Sequence, residues 1–230
     1  MGEGSKPSRG RAAGSADRAE KPRKTTVARD GARPRGGANP LAAAQFAIAA
    51  HHLRQLPLDS GAEVAFAGRS NAGKSSAINA LTGNTKLART SKTPGRTQQL
   101  VVFALDPVRR LIDLPGYGYA KVPEDLRAHW REVLDRYFRE RESLRGLVLA
   151  MDSRHPLTPF DRTMLAFCAA RLLPCHVLLT KSDKLSRSQG AATLRTVHAA
   201  LPEGSSAQLF SAHERVGIDE ARAVVQRWLE

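Results

Sequence analysis

Apolar residues fall into short runs along this chain, and between the runs they recur at the three- and four-residue spacing of a helix. The runs EVAFAG (63–68), LVVFAL (100–105), RRLIDL (109–114), GLVLAMD (146–152), HVLLT (176–180) and AQLFS (207–211) have the length and composition of strands. Helical spacing occupies 74–82, 124–142, 159–171, 187–200 and 217–229. Strands alternating with helices imply a parallel sheet covered on both faces. One link departs from this: Asp106-Pro107-Val108 is too short for a crossover, so the strands on either side of it form an antiparallel pair. The expected fold is an α/β domain with a six-stranded, mostly parallel sheet, one antiparallel pair and helices on both faces. Ahead of it, PLAAAQFAIAAHHL from Pro40 is rich in good helix formers and predicts an N-terminal helix docked on the domain, with His51 and His52 on an exposed turn.

The texture changes before Pro40. Residues 1–40 hold ten Lys or Arg, four acids, seven Gly and four Pro, with no aromatic residue and no Leu or Ile. Such a segment cannot bury enough apolar surface to offset its conformational entropy, so 1–40 is expected to be a disordered basic tail and 41–230 the folded domain. The tail carries a net +6 of the chain's +14, so both parts are basic, and polyanions, nucleic acid first among them, are the expected partners. Cys168 and Cys175 are too few for a disulfide scaffold and lack zinc-site spacing. No run has the roughly 18 apolar residues of a membrane span, and the N-terminus lacks the apolar core of a secretory signal, so a cytoplasmic monomer with no membrane contact is expected.

One stretch carries explicit chemistry. Gly68-Arg69-Ser70-Asn71-Ala72-Gly73-Lys74-Ser75 fits G-x-x-x-x-G-K-[ST] between a predicted strand and a predicted helix, the setting of a P-loop. There the glycines let backbone N–H groups turn inward on a phosphate, and the helix N-terminus adds its partial positive charge. Lys74 then reaches the β and γ oxygens, and the Ser75 hydroxyl ligates Mg2+. A P-loop alone leaves kinase, ATPase and GTPase open. Asp113-Leu114-Pro115-Gly116 ends the third predicted strand at the same edge, where Asp113 can hold Mg2+ through water and the Gly116 N–H can meet the γ-phosphate. Thr180-Lys181-Ser182-Asp183 ends a later strand. A carboxylate at Asp183 accepts both N1–H and N2–H of guanine, and adenine offers no matching pair of donors. The Lys181 stem would lie along the base, and Phe210-Ser211-Ala212 ends the next strand, where a backbone N–H could reach the guanine O6.

GRSNAGKSS, KTPGRTQQL, LIDLPGYGYA, LTKSDKL and LFSA together resemble the EngB (YihA/YsxC) family of TRAFAC-class GTPases, over about 42–230. The resemblance implies a P-loop NTPase G domain that binds GTP and GDP, assists late assembly of the large ribosomal subunit and is needed for normal division and septation. It also implies that Thr97 joins Ser75 and Asp113 on Mg2+, with Gly95, Arg96, Thr97, Gln98 and Gln99 closing over the nucleotide. Lys74, Thr97 and Gly116 are then the groups closest to the chemistry. Asn71 matches the residue that ligates K+ in related cation-dependent GTPases. Thr180 stands where Asn is usual in GTPases, and reads as a lost tether to the P-loop. Ras-like enzymes orient the attacking water with a Gln just after D-x-x-G. Here that position is Tyr117, which implies slow intrinsic turnover, with K+ or a partner's arginine supplying the missing stabilisation. In the helix after it, Trp130, Tyr137 and Phe138 are expected in the core. Two other readings are a P-loop kinase or ATPase, which Asp183 opposes, and a nucleotide-regulated RNA-binding module or division-site factor that does not act through the ribosome.

Overall fold

The computed structural model describes Met1 and residues 39–88, 99–116 and 124–230, the side chains of 124–127 aside. Its strands are β1 (Gln45–Ala50), β2 (Ala62–Gly68), β3 (Leu100–Ala104), β4 (Arg109–Asp113), β5 (Leu144–Asp152), β6 (Cys175–Thr180) and β7 (Ser206–Leu209). They form one sheet in the order β1-β3-β4-β2-β5-β6-β7. β4, β2, β5, β6 and β7 run parallel, while β3 is antiparallel to both β4 and β1. The helices are α1 (Lys74–Thr82), α2 (Glu124–Glu140), α3 (Pro159–Arg171), α4 (Arg187–His198) and α5 (Ile218–Leu229). The hairpin expected from the three-residue link is therefore present, and every predicted helix inside the domain forms.

The sheet has seven strands, where six are expected, because the Ala-rich segment after Pro40 forms a strand and not a helix. Chain 40–43 makes only a turn, which buries Leu41, and β1 then pairs along β3 from Gln45↔Ala104 to Ala50↔Leu100 with an irregularity between Phe46 and Ile48. Alanine's helix preference is worth only tenths of a kcal/mol per residue, and the unpaired backbone of β3's outer edge outweighs it. His51 and His52 accordingly sit on a bend before a single 3-10 turn, Leu53–Gln55, and remain exposed. The basic segment 2–38 lies outside the described residues, so the expected disorder of 1–40 does too. Asn39 already belongs to the fold: its amide donates to the carbonyls of Leu81 (3.1 Å) and Thr82 (2.9 Å) at the end of α1.

Two apolar layers sandwich the sheet. On one side α2 and α3 supply Trp130, Leu134, Tyr137, Phe138, Met164 and Cys168, all buried, with Val197 from α4; on the other, α1 and α5 supply Ile78, Leu81, Ala221 and Val225. The aromatics of α2 are core residues, as their spacing predicts. β2 and β5 in the centre are covered on both faces, which is why they read as near-continuous apolar runs.

Candidate functional site

The carboxyl ends of β2, β4, β5, β6 and β7 share one edge of the sheet, and each of the described motifs hangs from it. The loop Gly68–Gly73 leaves β2 and feeds α1. Asn71 (φ 62) and Gly73 (φ 89) both adopt the left-handed conformation. Gly73 needs to be glycine for a second reason, because a Cβ there would sit 3.2 Å from the Thr180 Cβ. As the N-cap of α1 it offers no side-chain cap, so the N–H groups of the first turn are left for an anion. Lys74, on that turn, is 8% exposed, and its ammonium pairs with the Asp113 carboxylate at the end of β4.

Thr180 does the opposite of what its sequence suggests. Its hydroxyl reaches the carbonyl of Ala72 (2.5 Å) and that of Met151 (3.0 Å), so it is a tether between β6 and the P-loop. The expectation of a lost tether fails because a short hydroxyl is long enough: Gly73 lets the loop come within contact of β6. Lys181, also left-handed (φ 55), adds a second strap, donating from Nζ to the Asn71 carbonyl (2.6 Å) and to Asp152 Oδ2 (2.9 Å).

Asp183 faces the same cleft. The Ser211 hydroxyl donates to its Oδ1 (2.7 Å) and the Lys184 ammonium stands 3.1 Å from Oδ2; the two, the hydroxyl first, hold the carboxyl below the usual carboxylate range. Phe210 is buried, and its carbonyl accepts from the Ser182 N–H (3.2 Å), which locks the two loops together. A cleft of about 220 Å3 is lined by Gly73, Thr180, Lys181, Asp183, Ser211 and Ala212. Three motifs, 28 to 110 residues apart by their hydrogen bonds, thus converge on one space. Leu114 donates its N–H to the Phe66 carbonyl (2.9 Å), and Pro115 is buried beside it; Gly116 follows against Ser70, whose Oγ would lie 3.3 Å from a Cβ at 116. Arg69, on the same loop, is exposed. Gly95, Arg96, Thr97 and Gln98 lie outside the described residues, as does Tyr117. Gln99 is described; its amide nitrogen stands 2.7 Å from His51 Nε2, away from the cleft.

The residues suit a phosphate chain carrying a divalent ion. Ser70 Oγ, in the P-loop, is buried with no hydrogen-bond partner among the described residues, and Ser75 and Asp113 offer hard oxygen donors, which Mg2+ prefers. Sequence reasoning missed Asp152. It ends β5 at this same edge, takes a fork from Arg154 (2.9 and 2.7 Å) and the Lys181 ammonium, and those partners, Arg154 first, hold its carboxyl far below the usual range. The available signal was its position, an acid closing a predicted strand. Ser76 and Lys184, from the ends of two of the quoted motifs, and His213, just past the last of them, also line the cleft.

Comparison with known proteins agrees with this geometry. Residues 63–181 match the family described as 50S ribosome-binding GTPase. The chain is 60% identical over 190 residues to a probable GTP-binding protein EngB of Stenotrophomonas maltophilia (strain K279a), covering 81% of this chain and 95% of that protein. Its fold is similar to the crystal structure of a probable GTP-binding protein engB (TM-score 0.60, 22% identity, 73% of this chain and 98% of that one). It is also similar to Era in complex with MgGDPNP and nucleotides 1506–1542 of 16S ribosomal RNA (TM-score 0.59, 23% identity, 74% and 57%). With a P-loop, a D-x-x-G turn and a carboxylate cleft on one sheet edge, and this degree of identity, the chain belongs to the EngB family of GTP-binding proteins, which are P-loop GTPases.

Proposed function

We propose that this protein is a guanine-nucleotide switch that docks on the large ribosomal subunit during its assembly, and that impaired division and septation follow from its loss. The observation that carries the nucleotide half is the Asp183 carboxylate, held ionised by Ser211 and Lys184 in a cleft that also touches the P-loop. An ionised carboxylate there accepts two N–H donors from one base edge, which guanine has and adenine lacks. In this reading Gly68 to Gly73 wrap the β-phosphate, Lys74 exchanges Asp113 for phosphate oxygens, and Ser182 and Ala212 border the base with Phe210 beneath. Ser75, Thr97 and Asp113 would hold Mg2+, which would offset the negative charge of the phosphate oxygens. Thr97 and Gly116 sense the γ-phosphate, so the segments around them order with GTP and relax with GDP. Asn71 is the residue on which K+ would act, and equal hydrolysis rates in matched K+ and Na+ buffers would remove that role. Turnover is slow without a partner.

The ribosomal half is supported by the matched family's description, by a related fold crystallised with ribosomal RNA, and by the net charge of +14. The test is co-sedimentation with purified large subunits at fixed salt, comparing a non-hydrolysable GTP analogue with GDP. Retention with the analogue alone is expected. Equal retention, or none, would point to an RNA-binding module or a division-site factor acting elsewhere.

A further inference from the structure

The sheet's other end carries a second concavity that the nucleotide reading does not use. It is an open groove of about 820 Å3 between the β3–β4 hairpin, the start of β5 and the last turn of α5. Three guanidinium groups from three separate elements line it: Arg109, Arg145 and Arg227. Arg109 is paired with Asp106 (2.6 Å). Among the described residues Arg145 meets only the Gly61 carbonyl (3.3 Å), and Arg227 has no acidic partner. Glu230, the one acid among the lining residues, accepts from the Gln226 amide (3.1 Å), a neutral donor, and keeps its charge, but among the described residues it forms no ion pair with Arg145 or Arg227. Two guanidinium groups without an ion pair, facing one groove, are an arrangement that the phosphates of a polyanion relieve.

Trp228 narrows the identity of that polyanion. The indole packs so closely over Gly146 that a Cβ there would stand 2.4 Å from Cε3, which fixes the ring from one side while the residue stays half-buried and lines the groove. Exposed Val108 (52%) adds an apolar wall. An acidic peptide needs the arginines but not a held aromatic ring. A single-stranded nucleic acid uses both, phosphates on the guanidinium groups and a base against the ring. The volume is within the range that encloses a nucleotide-sized group.

We propose that this groove binds a single-stranded RNA segment, with Arg145 and Arg227 on its phosphates and Trp228 against a base. The proposal deepens the reading that the partner is an RNA-rich particle and can fail without it. Because the groove lies at the end of the strands opposite the P-loop, its affinity does not depend on which nucleotide is bound. The experiment uses the full chain and a fluorescein-labelled oligouridylate, followed by anisotropy across a salt series with GDP and with a non-hydrolysable GTP analogue. Arg145→Gln/Arg227→Gln is expected to bind at least tenfold more weakly than the unaltered chain and to flatten the log K against log salt slope by about 1.4, two single-strand phosphate contacts at ~0.7 each. The basic segment 1–40 is the same in both proteins, so a difference between them is read as the change made at the groove. Trp228→Phe is expected to weaken binding severalfold with the slope unchanged. Unaltered GDP affinity in each variant certifies the fold. Equal affinity and slope in the double variant, or competition by oligoglutamate and not by unlabelled oligouridylate, would overturn the groove as an RNA site. Subunit retention in the co-sedimentation assay would decide the ribosomal reading separately.

Discussion

The two ends of the central strands both concentrate charge, and they handle it in opposite ways. At the carboxyl end, Lys74, Asp113, Lys181 and Asp183 sit at a strand's end or on the turns that follow the strands, Lys74 paired with Asp113, Lys181 with Asp152 and Asp183 with the Ser211 hydroxyl, in contacts that a ligand's own charges can take over. At the amino end, Glu63 of β2 is fully buried, gripped by Arg141 (2.7 and 3.0 Å) from the end of α2 and by Arg110 (3.2 Å) from β4, with the Tyr137 hydroxyl 3.4 Å away. Burial, and then the Glu63 charge, push the Tyr137 phenol well above its usual range. Buried charge by itself would have nominated Glu63 as the functional centre. What separates the ends is where the partners come from: Arg141 also donates to the Pro57 carbonyl (2.8 Å) and Arg110 to that of Leu58 (3.2 Å), so the amino-end charges are tied to the fold itself, Arg110 Nε standing beside Glu63 without a hydrogen bond of its own, whereas in the P-loop Ser70 Oγ has neither a hydrogen bond nor a counter-charge among the described residues. The amino end is closed chemistry that holds strands and loops in register, and the carboxyl end is chemistry left open for a substrate.

The sharpest way to break that contrast is to neutralise Glu63. Glu63→Gln keeps the volume and leaves the buried Arg110 without its counter-charge and Arg141 with only the more distant Asp59 (3.5 Å), a change that typically costs about 3–5 kcal/mol. Urea unfolding should show that loss while the folded fraction binds GDP normally; weakened GDP binding with intact stability would reverse the roles given to the two ends. Asp183→Asn is the mirror experiment. Replacing a carboxylate that accepts two N–H donors should cost about 3 kcal/mol of guanine affinity, roughly a hundredfold, at little cost in stability. Xanthosine diphosphate, with a carbonyl where guanine has its amino group, should gain in relative affinity. Calorimetric titration with both nucleotides reads the exchange, and undiminished GDP binding would take the base-recognition role away from Asp183.

The carboxyl end was largely legible in the sequence and the amino end was not, for a physical reason. Phosphate binding needs particular residues at consecutive positions, so Gly68 to Ser75 announce themselves locally, and Asp113 and Asp183 are found because one closes a strand and the other follows three residues after one. Glu63, Arg110 and Arg141 meet only through folding, across as many as 78 residues, and singly look like ordinary surface charges. The same limit explains β1 and Thr180. Alanine's helix preference is local, while the edge of β3 that recruits β1 lies some 55 residues on, and the Ala72 carbonyl that Thr180 ties is 108 residues back.

That tether gives a smaller, finer test. Thr180→Val conserves shape and removes the hydroxyl, leaving the Ala72 carbonyl without its donor and a loss of about 1–2 kcal/mol. Because the carbonyl belongs to the P-loop, part of the loss should appear as faster GDP dissociation in stopped-flow measurements. A purely structural residue would lower the urea midpoint and leave dissociation unchanged.

The smallest expected effect lies at the start of β6, where it meets β7. His176 is buried, with Nε2 2.8 Å from Gln208 Oε1 and Nδ1 2.7 Å from the Ser206 hydroxyl. Gln208 Nε2 donates to the Gly217 carbonyl (2.7 Å), which turns its oxygen toward the imidazole. Nε2 must therefore carry the proton, and Nδ1 accepts from Ser206. The ring is thus satisfied as the neutral form, and burial lowers its affinity for a second proton. The unfolded chain takes up that proton near the ordinary histidine value of about 6.5, while the folded chain still refuses it, so stability falls as the pH drops through that value and is fully present above it. The urea midpoint should decline from pH 7.5 to 5.5, and His176→Gln, which has nothing to protonate there, should decline less. Equal slopes for the two proteins would show that the imidazole is not kept neutral, and would place the acid sensitivity of the fold in some other pair.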